Sequence, residues 1–260
     1  MNWQPVDCHA HTVFSDGALS VAELVQHVGA LGVRPSVSDH ISRDVSRSIT
    51  SIAGVRTYLD ALDQFDVLRG GEFCWHDSLW RQLPADLVHR FTHRIGSLHA
   101  IRLSDGSLVH AFSRRLPAGL TAQHYMDAHL ASLERLAAEM PVDILAHPTL
   151  VALPFRNGDG DGDVDALWTD ARESRLVDAL CSANIAFEIS ARYVPHERLV
   201  RKAVERGVRL SLGSDGHTLE QVGNIVAPLG LARSLGVSDD DLYDPLRHGS
   251  KTQYSANTPA

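Results

Sequence analysis

The chain has 260 residues and a mass of 28.4 kDa, long for a minimal domain and comfortable for one α/β barrel. With 44% hydrophobic and 22% charged residues, 19 Gly and 11 Pro, its composition excludes disordered, collagen-like and membrane-spanning readings. A net charge of −8 without any basic block disfavours stable binding of duplex nucleic acid through a broad basic face.

The first residues, Met1-Asn2-Trp3-Gln4-Pro5, have neither a basic region nor an apolar core, so no signal peptide is expected. Cys8, Cys74 and Cys181 are too few and too scattered for a disulfide framework, and a reducing, cytoplasmic setting follows as the expectation. Only Lys202 and Lys251 are lysines, which is the signature of codon bias towards arginine. Histidine is abundant, with 15 copies.

Short β-like runs alternate with helical patterns, which predicts parallel βα units. Strands are expected near residues 5–10, 34–38, 67–73, 94–98, 142–146, 185–190 and 208–213. The clearest helix starts at Ser20, which forms a capping box with Glu23 and is followed by Val21, Leu24, Val25, Val28 and Leu31 on one face. Another covers roughly 122–139, with Met126, Leu130, Leu133 and Ala137 in register. The economical architecture is a single domain over residues 1–246, a seven-stranded relative of the eight-stranded βα barrel. The polar, patternless residues 247–260 read as a flexible tail. Residues 157–165, NGDGDGDVD, invite a calcium-loop reading, but position twelve of that register is Trp168 where a glutamate is needed. A flexible acidic loop is the expectation there.

The chemistry lies in what ends each strand. His9 and His11, two apart, share one face of the first strand, and Asp16 follows in the loop. His40 closes the second strand, Glu72 the third, His99 the fourth and His147 the fifth. Asp215 and His217, again two apart, follow the seventh. In a parallel barrel these carboxyl ends converge on one rim, where active sites are built. Six imidazoles and three carboxylates cannot all satisfy one another there, because the carboxylates repel and the rings lack mutual partners. Divalent cations remove both problems. Imidazole and carboxylate suit Zn²⁺, Mn²⁺ or Fe²⁺, and nine ligands point to two or three such ions. One HxH or one His-Pro alone carries no weight; every ligand-bearing strand end contributing to one rim does. His27 and His129 fall inside helical patterns and read as structural or surface residues, and His76, four after Glu72, receives no role.

Taken in order, DCHAHTVFSDG (Asp7–Gly17), SDH, GGE, GSLH, AHP and GSDGH resemble the motifs of the PHP (polymerase and histidinol phosphatase) family over residues 7 to about 217. The resemblance implies a distorted seven-stranded (β/α)7 TIM-like barrel with a trinuclear metal centre that hydrolyses phosphate esters. It implies that His9, His11, Glu72 and Asp215 hold one metal, that Glu72 bridges to a second held with His99 and His147, and that Asp16, His40 and His217 hold the third. His9, Glu72 and Asp215 would then carry the catalysis, a water bridging two metals serving as hydroxide near neutral pH. Total length and the stretch from Tyr125 to Pro148 look like the stand-alone histidinol-phosphate phosphatases. The 26 residues between Glu72 and His99 leave no room for the inserted domain of nucleotide-cleaving relatives. Ser15-Asp16-Gly17, by contrast, is the wider family's version of the first motif, where histidinol phosphatases often carry a cysteine and a histidine.

A dianionic substrate calls for arginine forks. Arg156 and Arg192, in loops after the fifth and sixth strands, are the candidates, with Arg43 and Arg47 behind them. In a chain with 22 arginines each can equally be a surface residue. Glu188, ending the sixth strand, either meets a substrate ammonium or anchors its loop. The expected activity is a cytoplasmic phosphomonoesterase acting on L-histidinol phosphate, with a small phosphorylated substrate as its partner and the oligomeric state open. The alternative is a nucleotide phosphatase or short-oligonucleotide phosphoesterase with the same metals and a different cavity. An amidohydrolase reading fails on the absence of any lysine before Lys202, and a non-catalytic metal-binding reading fails on the complete ligand set.

Overall fold

A computed structural model describes residues 3–156 and 164–251 of the chain. Six parallel strands form its main sheet. In chain order the strands are β1 (Ser36–Val37), β2 (His40–Ile41), β3 (Leu68–Arg69), β4 (Glu72–Cys74), β5 (Ile95–Ser97), β6 (Ala100–Arg102), β7 (Leu108–His110), β8 (Ile144–Leu145), β9 (Ala186–Ser190) and β10 (Leu210–Gly213). The sheet runs β10-β9-β8-β5-β4-β2, and β1 pairs with β3 in parallel beside it. Every residue of β9 and β10 is buried, the mark of parallel strands covered on both faces.

The sequence places the second and third strands as continuous runs, but each is split. β1 and β2 are separated by Ser38-Asp39, and β3 and β4 by Gly70-Gly71. At Gly70 the backbone passes so close to the His93 ring and the Val37 carbonyl that a Cβ would stand 2.6 and 2.8 Å from them. The expected seven-stranded closed barrel is likewise not formed by regular ladders among the described residues. Residues 5–10 are extended between the two ends of the sheet, with Cys8 N donating to Leu212 O on one side and Ser38 N to Ala10 O on the other. They make only single bridges, Val6 with Arg34 and Ala10 with Gly216. The reason is that side chains take the ladder's donors: Ala10 N donates to Ser38 Oγ, and Ser214 N to Asp7 Oδ1.

The two helices read from periodicity are present as Val21–Ala30 and Ala122–Glu139. The Ser20–Glu23 capping box closes the first in both directions, and Val21, Leu24 and Val28 are buried beneath it. Leu31 is the helix cap, one residue past Ala30, and is exposed. In the second, Met126, Leu130, Leu133 and Ala137 all face the core, where Trp168, Tyr58, Tyr125, Phe73 and Phe187 are fully buried. The β6–β7 hairpin has no counterpart in the sequence reading. Of the acidic 157–165 loop, residues 157–163 lie outside the described residues, as do 252–260 of the carboxyl-terminal segment. The segment begins inside a helical turn, Pro245–His248, and Ser250 Oγ and Lys251 N donate to Asp143.

Candidate metal centre

The parallel register brings the strand ends to one rim. His40 of β2 lies opposite Glu72 of β4, and Cys74 opposite Ser97 of β5, two residues short of His99. His147 comes two residues after β8, and Asp215 two after β10. His147 and Asp215 both have left-handed backbones, at φ 29° and 49°, and the described residues contain only two other non-glycine residues with positive φ. Backbone strain of this kind persists where the surroundings fix it, and here it falls on two candidate ligands.

All nine residues singled out from the sequence meet in one cluster. Glu72 is its centre and is wholly buried. Its Oε1 lies 3.2 Å from His99 Nε2 and 3.2 Å from His147 Nε2. Its Oε2 lies 2.6 Å from His40 Nδ1, 3.4 Å from His9 Nε2 and 3.7 Å from His11 Nε2. Asp215 Oδ1 stands 3.3 Å from His11 Nε2 and 3.8 Å from His9 Nε2, and Asp16 Oδ1 stands 3.3 Å from His217 Nε2 and 3.6 Å from His40 Nε2. Four groups of three or four converging ligand atoms result: His11-Asp16-His40-His217, His9-His11-Asp215, His9-Glu72-His147 and His40-Glu72-His99.

The cluster tests as a metal site on its own polar atoms. His9 Nε2, His11 Nε2, His40 Nδ1, Glu72 Oε2 and Asp16 Oδ1 are buried and make no hydrogen bond. Even the 2.6 Å approach of His40 to Glu72 is misaligned for one. Five such atoms in one place would be costly, at roughly 1–3 kcal/mol each, unless something else satisfies them. Nitrogen and carboxylate oxygen at this spacing fit divalent cations. The charges pull the groups in opposite directions: against the effect of burial, Glu188, Glu72 and Asp215 hold the His9 pKa well above the usual imidazole value, and Cys74 and Glu72 do the same for His99. Burial alone would raise the Glu72 pKa, but His40, His99 and His9 hold it well below the usual carboxylate range. Burial pulls His11 down to about 3, with His40 adding to the effect. Both therefore sit in the deprotonated form that a metal needs.

The supporting contacts were only partly visible in the sequence. Glu188 resolves to an anchor: its Oε1 accepts from His9 Nδ1 at 2.6 Å and its Oε2 from the His147 amide at 2.6 Å. That leaves His9 Nε2 facing the cluster. Gly213 is required beside it, because a Cβ there would overlap Glu188 Oε1. Asp39, adjacent to His40 in the SDH motif, accepts from Thr12 N, Thr12 Oγ1 and Ser15 Oγ and so shapes the loop that carries Asp16. Asp7 does the same for the Asp215 turn, accepting from Ser214 N, Ser214 Oγ and Gly223 N. Cys74 Sγ lies 3.0 Å from His99 Nδ1 and fixes that ring with Nε2 towards Glu72. For Asp39, Asp7 and Cys74 the available signal was an acid or thiol next to, or two residues from, a candidate ligand, whereas Glu188 was marked only by its place at the end of the sixth strand.

Above the cluster lies a cavity of about 360 Å³, lined by His40, His99, His147, His217, Arg192 and Tyr193 among others. Arg192 is brought to it, with Nη1 3.0 Å from His217 Nδ1. Arg156 is not on its lining. Its Nη2 donates to Ala111 O, and its guanidinium stands 5.3 Å from the Phe112 ring and 5.6 Å from Tyr193, both of which do line the cavity. Arg47 is exposed, and Arg43 turns to Gln82 and a separate cleft.

No protein-family model matches the chain. In sequence it is similar to the DNA polymerase/3'-5' exonuclease PolX of Bacillus subtilis (strain 168), with 26% identity over 238 residues. That match takes in 87% of this chain and spans 36% of the length of that curated relative. In structure it resembles the histidinol phosphate phosphatase HisK of Lactococcus lactis subsp. lactis Il1403, solved with zinc, L-histidinol and phosphate. The TM-score is 0.67 at 15% identity, covering 90% of this chain and 95% of the other. A Listeria monocytogenes protein that carries the name histidinol phosphatase, HisK, gives a TM-score of 0.71 at 15% identity, over 86% of this chain and 99% of its own. The resemblance to the PHP family holds. The ordered PHP motifs and the shared α/β fold with its mostly parallel sheet describe the same chain. Among the described residues no helix is long and apolar enough to cross a membrane, and Cys8, Cys74 and Cys181 are free.

Proposed function

We propose that this chain is a metal-dependent phosphomonoesterase that hydrolyses L-histidinol phosphate to L-histidinol and phosphate. The observation that carries the reading is Glu72, a wholly buried carboxylate with five imidazoles around it and ligand-capable groups on both of its oxygens. Three divalent ions, Zn²⁺, Mn²⁺ or Fe²⁺, would be held as the PHP resemblance implies, with Glu72 between the His9-His11-Asp215 and His99-His147 ligands and Asp16, His40 and His217 around the third. When bound, such ions lower the pKa of a coordinated water and take up charge on the phosphoryl oxygens.

The chain's own residues do the positioning. Glu188 keeps the His9 proton on Nδ1, the His147 and Asp215 backbones aim their side chains inwards, and His217 Nδ1, 2.9 Å from Asp215 O and 3.0 Å from Arg192 Nη1, leaves its Nε2 facing Asp16. Arg192 holds the phosphate at the mouth, Arg156 stiffens the Phe112–Tyr193 wall behind it, and His9, Glu72 and Asp215 carry the catalytic load. Water supplies the oxygen that joins phosphorus as the P–O bond to the alcohol breaks. The barrier to be removed for a phosphate monoester is on the order of 20 kcal/mol, most of it by positioning and charge. The fold behind this is a distorted (β/α)7 barrel closed by residues 5–10, a single domain over 1–246 onto which residues 247–251 pack, in a cytoplasmic protein that binds neither membrane nor duplex nucleic acid.

The similarity to PolX favours a second reading, a nucleotide phosphatase or short-oligonucleotide phosphoesterase. Phosphate release from L-histidinol phosphate, AMP and a short oligonucleotide, measured in parallel on Mn²⁺- or Zn²⁺-loaded protein, separates the two. A kcat/KM of about 10⁴ M⁻¹s⁻¹ or more on histidinol phosphate alone supports the first. Strong cleavage of the nucleotides with weak activity on histidinol phosphate selects the second. His9→Ala, Glu72→Ala and Asp215→Ala should each lose orders of magnitude in rate together with bound metal. Full metal and full rate in Glu72→Ala would refute the bridging role.

A further inference from the structure

Beside the metal cluster lies a second cleft, of about 460 Å³, that the proposed reaction does not use. Arg43, Arg81, Arg102 and Arg135 line it against only two aspartates, Asp44 and Asp77, in a chain whose net charge is −8. Arg81 and Arg135 share Glu139, at 2.7 and 3.1 Å. Arg43 and Arg102 have no carboxylate partner among the described residues; they donate to Gln82 Oε1 and to Gly106 O. Asp77 is already engaged by the Arg43 and Leu79 amides. The cleft therefore presents unspent guanidinium donors, the groups that match phosphate oxygens best.

Its inner wall holds a second observation. The His76 side chain is 2% exposed, and neither ring nitrogen makes a hydrogen bond. Its nearest carboxylate oxygen, Asp44 Oδ2, stands 3.6 Å from Nε2. An imidazole buried without a hydrogen bond is unfavourable by roughly 1–3 kcal/mol, and an acceptor in the cleft would remove that cost. Position links the cleft to the reaction. Asp44 lines both cavities, and the His76 ring packs edge-on at 5.7 Å against His110, which lines the metal cavity.

We propose that this cleft is a second phosphate subsite, in which Arg43, Arg102 and His76 bind a phosphate group that the metals do not hold. The role beside the metal cavity rests on the phosphoesterase reading; the binding chemistry does not. The phosphate is either a second phosphoryl group of the substrate or free inorganic phosphate left by a previous turnover.

The test is calorimetric titration of metal-loaded protein with inorganic phosphate, on wild type, Arg102→Glu and His76→Phe, the last keeping the packing against His110 while removing both nitrogens. Wild type should bind two phosphates per chain, and each variant should weaken the second about tenfold or more. Kinetics with adenosine 3′,5′-bisphosphate and AMP then separate the sources. A KM raised about tenfold by Arg102→Glu for the bisphosphate alone assigns the subsite to the substrate's own second phosphate. Unchanged KM values with loss of product inhibition by phosphate assign it to free phosphate. One phosphate per chain in wild type, or two that neither variant weakens, overturns the proposal. Two phosphates with the second lost in the variants, but no ester turned over, keeps the subsite and sinks the phosphoesterase reading instead.

Discussion

Replacing Glu188 by glutamine changes one charge and no volume, 2.6 Å from the nearest ligand ring. Both groups facing this carboxylate are donors, the His9 Nδ1–H and the His147 N–H. Glutamine offers one acceptor and one donor, so one of the two contacts becomes donor against donor. If the amide nitrogen turns to His9, the ring must move its proton to Nε2, the atom that faces Glu72 and Asp215, and its lone pair no longer reaches a metal. If it turns to His147, the left-handed backbone there loses its anchor. Carboxylates in this relation to a ligating histidine are worth about 10–100-fold in metal affinity or activity, or roughly 1.4–2.8 kcal/mol. The assay is metal content after dialysis against graded chelator, with kcat/KM on the preferred phosphate ester and circular dichroism to confirm the fold. Gly213→Ala should give the same phenotype by a steric route, since its Cβ would overlap Glu188 Oε1 and come within 2.8 Å of His9 Cβ. Wild-type chelator resistance and turnover in Glu188→Gln would refute the argument.

Three further outcomes are expected. Arg192→Ala should raise KM about 10–100-fold with metal content intact, the worth of a charge-assisted pair to phosphate; an equal loss confined to kcat would place it in the chemistry instead. Asp39→Ala strands the Thr12 N–H, the Thr12 hydroxyl and the Ser15 hydroxyl, so the urea midpoint should fall by the equivalent of about 3 kcal/mol and metal should be lost first from the Asp16 ligands, as counted by elemental analysis. Glu173, with its side chain buried between His196, Arg198 and Lys202, has a pKa that burial would raise but that Arg198, His196 and Lys202 lower. A lowered folded pKa means stabilisation fully present above the ordinary glutamate value of 4.5 and lost as pH falls through the folded one. Glu173→Gln should cost about 2 kcal/mol at neutral pH, less than a fully buried pair because Arg198 is half exposed, or roughly 4–8 °C in Tm. The gap to wild type should close below pH 4.5; a gap that stays constant to pH 3 would sink the assignment.

The ligand cluster was legible in the sequence because strand ends obey a rule that needs no tertiary information: in a parallel sheet every carboxyl end points to one rim. His40 and Glu72 are 32 positions apart in sequence, yet their register follows once both are placed at strand ends. The helix at Ser20 was legible for a similarly local reason, since the capping box and apolar stripe lie within one turn of each other. What stayed hidden depends on pairings that no local period encodes. The hairpin of β6 and β7 follows a ligand directly and walls the cavity with His110 and Phe112, but its strands are three residues each and only their antiparallel partnership defines them. The expected closed barrel departs from the structure for the opposite reason. Residues 5–10 have a strand's alternation, but Asp7 and Ser38 divert their neighbours' backbone donors, so the segment that carries His9 is held by side chains as much as by a ladder. That substitution follows from the chemistry. A regular edge would fix the backbone alone, whereas Asp7, Ser38 and Asp39 tie the His9–His11 segment to the Ser214–Asp215 turn and to the His40 strand at once. Candidate ligands from opposite ends of the chain are thereby held at one another's distance, and the irregularity that replaces a regular ladder at residues 5–10 is what sets their geometry.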